Sequence, residues 1–221
     1  MAAPSVMLFP VKDGFVGRGT RFKDKEYYQT INLFDKELNK QKELNSLLVA
    51  TRGGGKINIL SRSLAYQSYK DKIYISGKRG LSIDVLDSSG KKMSTISKAD
   101  YQPRKFTSED EATMRREMKK GNPRQYEAIK KRLVFPEYYP DILNMFFAND
   151  KLYVATWKWK QDKIEFFVFS PEGKLLKHRY IPFKFMDGLQ PYPAAIMNDK
   201  LYQLIENEDT EEWELHINPI Q

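Results

Sequence analysis

The sequence predicts an all-β protein, a β-propeller of four-stranded antiparallel blades, and two observations carry that expectation. A turn leading into an alternating apolar run recurs at Lys12-Asp13-Gly14-Phe15-Val16, Lys70-Asp71-Lys72-Ile73-Tyr74-Ile75, Asn149-Asp150-Lys151-Leu152-Tyr153-Val154 and Asn198-Asp199-Lys200-Leu201-Tyr202. After the Asp of the first three comes a second alternating run, at Thr30-Ile31-Asn32-Leu33-Phe34, Ile83-Asp84-Val85-Leu86 and Phe166-Phe167-Val168-Phe169, each closing on a turn that begins roughly 16 to 22 residues after that Asp.

Each piece of the repeat has a physical reason. The Asn-Asp and Lys-Asp pairs mark tight hairpin turns, because short polar side chains tolerate the positive φ that such turns need. Gly90 in Asp87-Ser88-Ser89-Gly90-Lys91 and Gly173 in Ser170-Pro171-Glu172-Gly173-Lys174 supply the same conformation to the second turn. Outer strands are expected near 40–44, 92–96 and 174–181. The repeat lays out about four blades in a single domain, 1–221, at approximately 5–50, 57–97, 140–182 and 191–219. The last offers strands near 194–197, 201–206 and 212–217 and lacks its outer strand. Completion of the ring by missing N-terminal blades, or by a second chain in a homo-oligomer, is therefore expected, since an unpaired edge invites association.

Residues 107–133 break the pattern and predict a two-helix insertion. Thr107 begins a capping-box-like start with Glu109, Asp110 and Glu111 in the first turn, and Met114, Met118, Tyr126, Ile129 and Leu133 follow at helical spacing. Gly121-Asn122-Pro123 ends one helix and starts the next.

Phe135-Pro136-Glu137-Tyr138-Tyr139-Pro140, the Asn149–Thr156 run, Phe169-Ser170-Pro171-Glu172-Gly173-Lys174-Leu175 and Gly14-Phe15-Val16-Gly17-Arg18-Gly19 together resemble bacterial six-bladed β-propeller proteins related to the NHL-repeat group. That resemblance covers most of the chain and implies about six blades, so the chain would be a C-terminal portion of such a ring. It also implies export to the periplasm or the cell exterior if an upstream signal peptide has been removed; otherwise the compartment would be the cytoplasm. Residues 1–11 lack the pattern of a secretion signal.

Composition bounds the function classes. With 41% hydrophobic and 30% charged residues the chain can build a core, and no run approaches the roughly 20 apolar residues of a membrane-spanning helix. Cys is absent, which removes disulfides, thiolate metal sites and cysteine nucleophiles. The net charge of +8 would favour an acidic partner, yet the cations are interspersed with Asp and Glu, as in Lys23-Asp24-Lys25-Glu26.

The chemistry-bearing candidates are sparse. Gly53-Gly54-Gly55-Lys56 resembles a phosphate loop, but Ile57 stands where Ser or Thr belongs and a strand pattern follows, so a turn is expected and no cofactor. His178 and His216 lie far apart in expected strands, with no second His or carboxylate recognised at ligand spacing, so no metal site is expected. Asp84, Asp141 and Asp187 are candidates for carbohydrate cleavage by position alone, and no catalytic residue is assigned.

The candidate ligand or partner surface comprises Trp157 and Trp159, which share one strand face, Tyr138 and Tyr139, and the helical cations Arg116, Lys120 and Arg124. Interblade packing is the competing role for the aromatics, and a solvated face for the cations. Nucleic acid is disfavoured as a partner, because Tyr126 alone interleaves with the helical cations. The expected function is non-enzymatic binding or scaffolding of a protein, peptide or glycan. Alternatives are a propeller hydrolase or lyase acting on a carbohydrate or lactone, and polyanion binding through the basic surface.

Overall fold

Paired hairpins, the expected signature of propeller blades, dominate the architecture. The computed structural model describes residues 7–51, 55–60, 64–77, 80–186, 190–207 and 209–220. The fold is all-β and of the propeller type, built from antiparallel blade-like sheets with two helices. Its contacts divide it into two compact units, Met1–Pro103 with Lys131–Ile142, and Arg104–Lys130 with Leu143–Gln221.

The first unit holds two sheets. One runs through β1 (Leu8–Val11), β2 (Gly14–Lys23), β3 (Glu26–Phe34), β4 (Lys40–Thr51) and β5 (Ile57–Asn58) in sequence order. The other is β6 (Tyr66–Tyr69), β7 (Lys72–Ser76), β8 (Leu81–Leu86) and β9 (Lys92–Lys98). The two sheets share a core in which Val11, Val16 and Ile31 pack with Leu64, Tyr66, Ile73, Ile75 and Leu86. Gly14 is obligatory at the first hairpin, because a Cβ there would lie 1.9 Å from the Phe34 carbonyl oxygen.

The first sheet departs from a four-stranded blade. Outer strand β4 runs well past the expected 40–44, and β10 (Leu133–Val134) adds to β5 in parallel. Arg132 fixes that addition from both sides. Its Nε donates to the Gly55 carbonyl at 2.8 Å, and its own carbonyl accepts from the Ile57 amide at 2.8 Å. Of the glycine run, Gly55 therefore anchors a strand, whereas Gly53 and Gly54 lie outside the described residues.

The second unit opens with α1 (Ser108–Gly121) and α2 (Pro123–Ile129). Thr107 and Asp110 form the reciprocal capping box, and the Asn122 side chain caps α2 by accepting from the Gln125 amide. Of the expected packing residues on the two helices only Met114 is buried, and α2 buries none.

The four-stranded sheet of this unit is β11 (Ile142–Ala148), β12 (Lys151–Lys160), β13 (Lys163–Phe169) and β14 (Leu175–Pro182). After a small hairpin of β15 (Phe185–Met186) and β16 (Gln190–Pro191) comes a three-stranded sheet, β17 (Ala194–Met197), β18 (Lys200–Asn207) and β19 (Glu212–Pro219). One core joins them: Tyr153, Ala155, Ile164, Phe166 and Val168 pack with Ile196 and Leu201. Buried Gln203 on β18 reinforces the junction, accepting from the Lys184 amide at 2.9 Å and donating to its carbonyl at 3.1 Å.

The turn chemistry follows the sequence. Both central residues of the Lys70-Asp71, Asn149-Asp150 and Asn198-Asp199 hairpins have φ between 46° and 59°, the paired positive values of a type I′ turn. Gly90 and Gly173 take φ of 74° and 97°. Among the described residues no helix is long and apolar enough to cross a membrane.

Candidate functional site

In the first unit β4 and the β7–β8 hairpin enclose a groove of about 390 Å³, lined by Glu43, Leu44, Asn45, Ser46, Gly77 and Asp84. Asn45 ties its walls together, the amide donating to the Ser76 carbonyl at 3.4 Å. Glu43 accepts from Arg21 at 3.1 Å and Lys40 at 3.2 Å. Burial would push its carboxyl up, but those two cations outweigh burial and hold it below the ordinary carboxylate value. Asp84, a sequence candidate, pairs with Lys92 at 2.6 Å and accepts from Thr95 at 3.1 Å. Hydroxyl, amide and backbone groups thus lie beside two carboxylates engaged by cations, a surface that donates and accepts hydrogen bonds. A general acid would need the opposite perturbation of Glu43.

The second unit contains a polar network that the sequence did not disclose. Glu165 on β13 is only 3% exposed, and it accepts from Thr156 Oγ1 at 2.8 Å and meets His178 Nε2 at 2.9 Å. The imidazole lies flat on Phe167, with centroids 4.5 Å apart and planes 5° from parallel. Burial and then the charge of Glu165 push the Tyr180 hydroxyl up. Register explains the meeting: Glu165 pairs with Tyr180 and Phe167 with His178, so the four side chains share one face of adjacent strands. His216 likewise has a carboxylate partner, Glu214 at 2.9 Å. Both histidines thus correct the sequence expectation of no nearby carboxylate. The signal for His216 was present, since residues two apart on a strand share a face.

The predicted aromatic pair does come together. Trp157 and Trp159 have centroids 6.4 Å apart, and Phe185 lies 6.0 Å from each, stacked on Trp157 and tilted against Trp159. The Arg104 guanidinium sits 3.5 Å over the Trp159 ring and pairs with Asp110 at 2.7 Å, so it bridges the tryptophan to the start of α1. Trp157 is only 4% exposed, which spends its ring inside the protein, and Trp159 is half-buried.

Tyr139 is also 4% exposed, in contrast to the exposed Tyr138 beside it. Arg116, Lys120 and Arg124 are exposed on the helices, with Arg116 paired to Glu117 at 3.3 Å. Asp141 is half-buried, its carbonyl accepting from the Tyr101 hydroxyl at 3.4 Å, and Asp187 lies outside the described residues.

No family model matches this chain, and no curated protein does. Among solved structures it is similar to one titled "AfRom2 CNH domain", with a TM-score of 0.41, 11% identity, and coverage of 96% of this chain and 53% of that one. It therefore spans about half the length of that structure. A second, titled "Kluyveromyces lactis Hsv2 complete loop 6CD", has a TM-score of 0.33 and 12% identity, and covers 100% of this chain and 75% of that one. Both scores are low, and the propeller-type fold stands on the strand pairings above.

Proposed function

We propose that this chain is a non-enzymatic binding or scaffolding module, and that the groove between β4 and the β7–β8 hairpin receives a peptide or a loop of a protein partner. The observation that carries this is the state of the groove's carboxylates. Arg21 and Lys40 hold Glu43 as an ionised acceptor and not a proton donor, and Asp84 beside it is engaged by Lys92 and Thr95. Among the described residues no aromatic ring lines the groove to stack on a sugar, whereas Asn45, Ser46 and the Gly77 backbone suit the main chain and polar side chains of a peptide. The blades are assigned to the six-bladed, NHL-related type on the turn signatures, including Gly173 with φ of 97° after Ser170-Pro171-Glu172.

A displayed library of unstructured peptides, selected on the full chain, tests the assignment. Selected peptides are expected to lose roughly tenfold or more in affinity to Ser46→Arg, which fills the groove, and to keep it against Arg124→Glu on α2. Peptides that bind Ser46→Arg and wild type equally would remove the groove as the site. Turnover of a glycan or lactone panel, abolished by Asp84→Asn, would replace binding with catalysis.

A further inference from the structure

The sheet of β17, β18 and β19 is polarised in an unusual sense. One face points into the core through Ile196, Leu201 and Gln203, and the β19 residues in register with that side are Glu214, His216 and Asn218. The opposite face carries the apolar members of the strand: Trp213, Leu215 and Ile217 are 50%, 60% and 50% exposed. Register places Tyr202 beside Ile217 and Leu204 beside Leu215 on that same face, with exposed Met197 and Ala195 on β17 completing it. Strand alternation puts apolar residues on the buried side, so this pattern is that of a face buried twice. The patch is on the order of several hundred Å², the size at which exposed apolar surface marks an interaction site.

We propose that this face is covered by the same face of a second copy of the chain, stacked about a two-fold axis with the strands antiparallel across the interface. The charges on β18 favour this occupant. Its outward residues read Lys200, Tyr202, Leu204, Glu206, a cation and an anion flanking an apolar centre. A two-fold axis at that centre, perpendicular to the strands, brings Lys200 of each copy over Glu206 of the other at both ends. The same operation lays Leu215 across from the partner copy's Ile217 and Trp213 across from its Pro219. Both Lys200 and Glu206 are exposed, and neither makes an ion pair among the described residues. Such an isologous contact is self-complementary, and two stacked faces sit about 10 Å apart with their side chains interdigitated. The proposal is independent of the groove, which lies in the other unit.

Sedimentation equilibrium of the full chain over a wide concentration range tests it. Wild type is expected to show a monomer–dimer equilibrium that Leu215→Lys weakens by roughly tenfold or more. Leu215 is exposed, so the variant keeps its fold, and circular dichroism checks this. Lys200→Glu and Glu206→Lys are each expected to weaken the dimer, and the double swap to restore it. A wild type that remains monomeric throughout overturns the proposal, whether another protein covers the face or nothing does. So does a dimer indifferent to Leu215→Lys, or a double swap no better than either single change.

Discussion

Strands β13 and β19 belong to the same unit and are each paired regularly to a hairpin partner, yet they are written in different chemical languages. In β13, Lys163-Ile164-Glu165-Phe166-Phe167-Val168-Phe169, every residue after the first is buried. In β19, Glu212-Trp213-Glu214-Leu215-His216-Ile217-Asn218-Pro219, none is fully buried, and apolar and polar residues alternate. A near-continuous apolar run signals burial on both faces, and the single polar interruption, Glu165, is accommodated by Thr156 and His178. Alternation signals one dry face and one wet face. Here the face with the apolar residues is the one left open, so burial in the isolated chain is decided by where neighbouring sheets stand, not by the strand's own pattern.

The largest effect that sharpens this contrast comes from truncating an apolar side chain on each strand. Phe166→Ala removes a fully buried ring from the shared core and is expected to cost about 3–5 kcal/mol in a denaturant titration. Leu215→Ser, measured at concentrations too dilute for association, is expected to stay within about 0.5 kcal/mol of wild type. Equal losses at the two positions would mean that the exposed face is packed within the chain.

The Glu165 network gives the next largest effect. Glu165→Ala leaves the buried Thr156 hydroxyl without its acceptor and is expected to cost about 1–3 kcal/mol. Glu165→Gln, which keeps an acceptor for Thr156, is expected to recover most of that loss, as read from the midpoint and slope of chemical unfolding. If alanine were no worse than glutamine, the Thr156–Glu165 hydrogen bond would contribute nothing to stability at this site.

These contrasts show what was legible in the sequence. The hairpin turns were, because Asn149-Asp150 and Asn198-Asp199 carry their conformation in two adjacent residues, and the capped helices were for the same reason of locality. Contacts that depend on register were not. Glu165 meets His178 across a hairpin whose register shifts between Val168 and Phe169, so counting along the chain does not place them together. The parallel addition of β10 to β5 hangs on Arg132, whose partner Gly55 lies 77 residues away. Groove residues Glu43 and Asp84 come from different sheets and are brought together by tertiary packing alone. Trp157 and Trp159 were correctly placed on one face by strand alternation, but the split of burial between them reflects where Phe185 and Arg104 dock.

The smallest effect concerns the tie between these two sheets. Asp199, in the β17–β18 turn, pairs with Lys151 Nζ at 2.8 Å and accepts from the Tyr153 hydroxyl, both on β12. Those hydrogen bonds, with the Lys151 ammonium foremost, hold its carboxyl below the ordinary 3.8, while burial and the adjacent carboxylate push the Tyr153 hydroxyl up. A carboxyl whose folded value is depressed takes up its proton more readily in the unfolded chain. Its stabilisation is therefore complete above about pH 3.8 and is lost as pH falls through the lower folded value. Because the Asp199 side chain is 39% exposed, the contribution is expected to be at most about 1 kcal/mol. Asp199→Asn should accordingly be less stable than wild type at neutral pH, and the two unfolding curves should converge below pH 3.8. A gap that persists unchanged at pH 2 would assign the tie to packing in the turn and not to the ionised carboxylate.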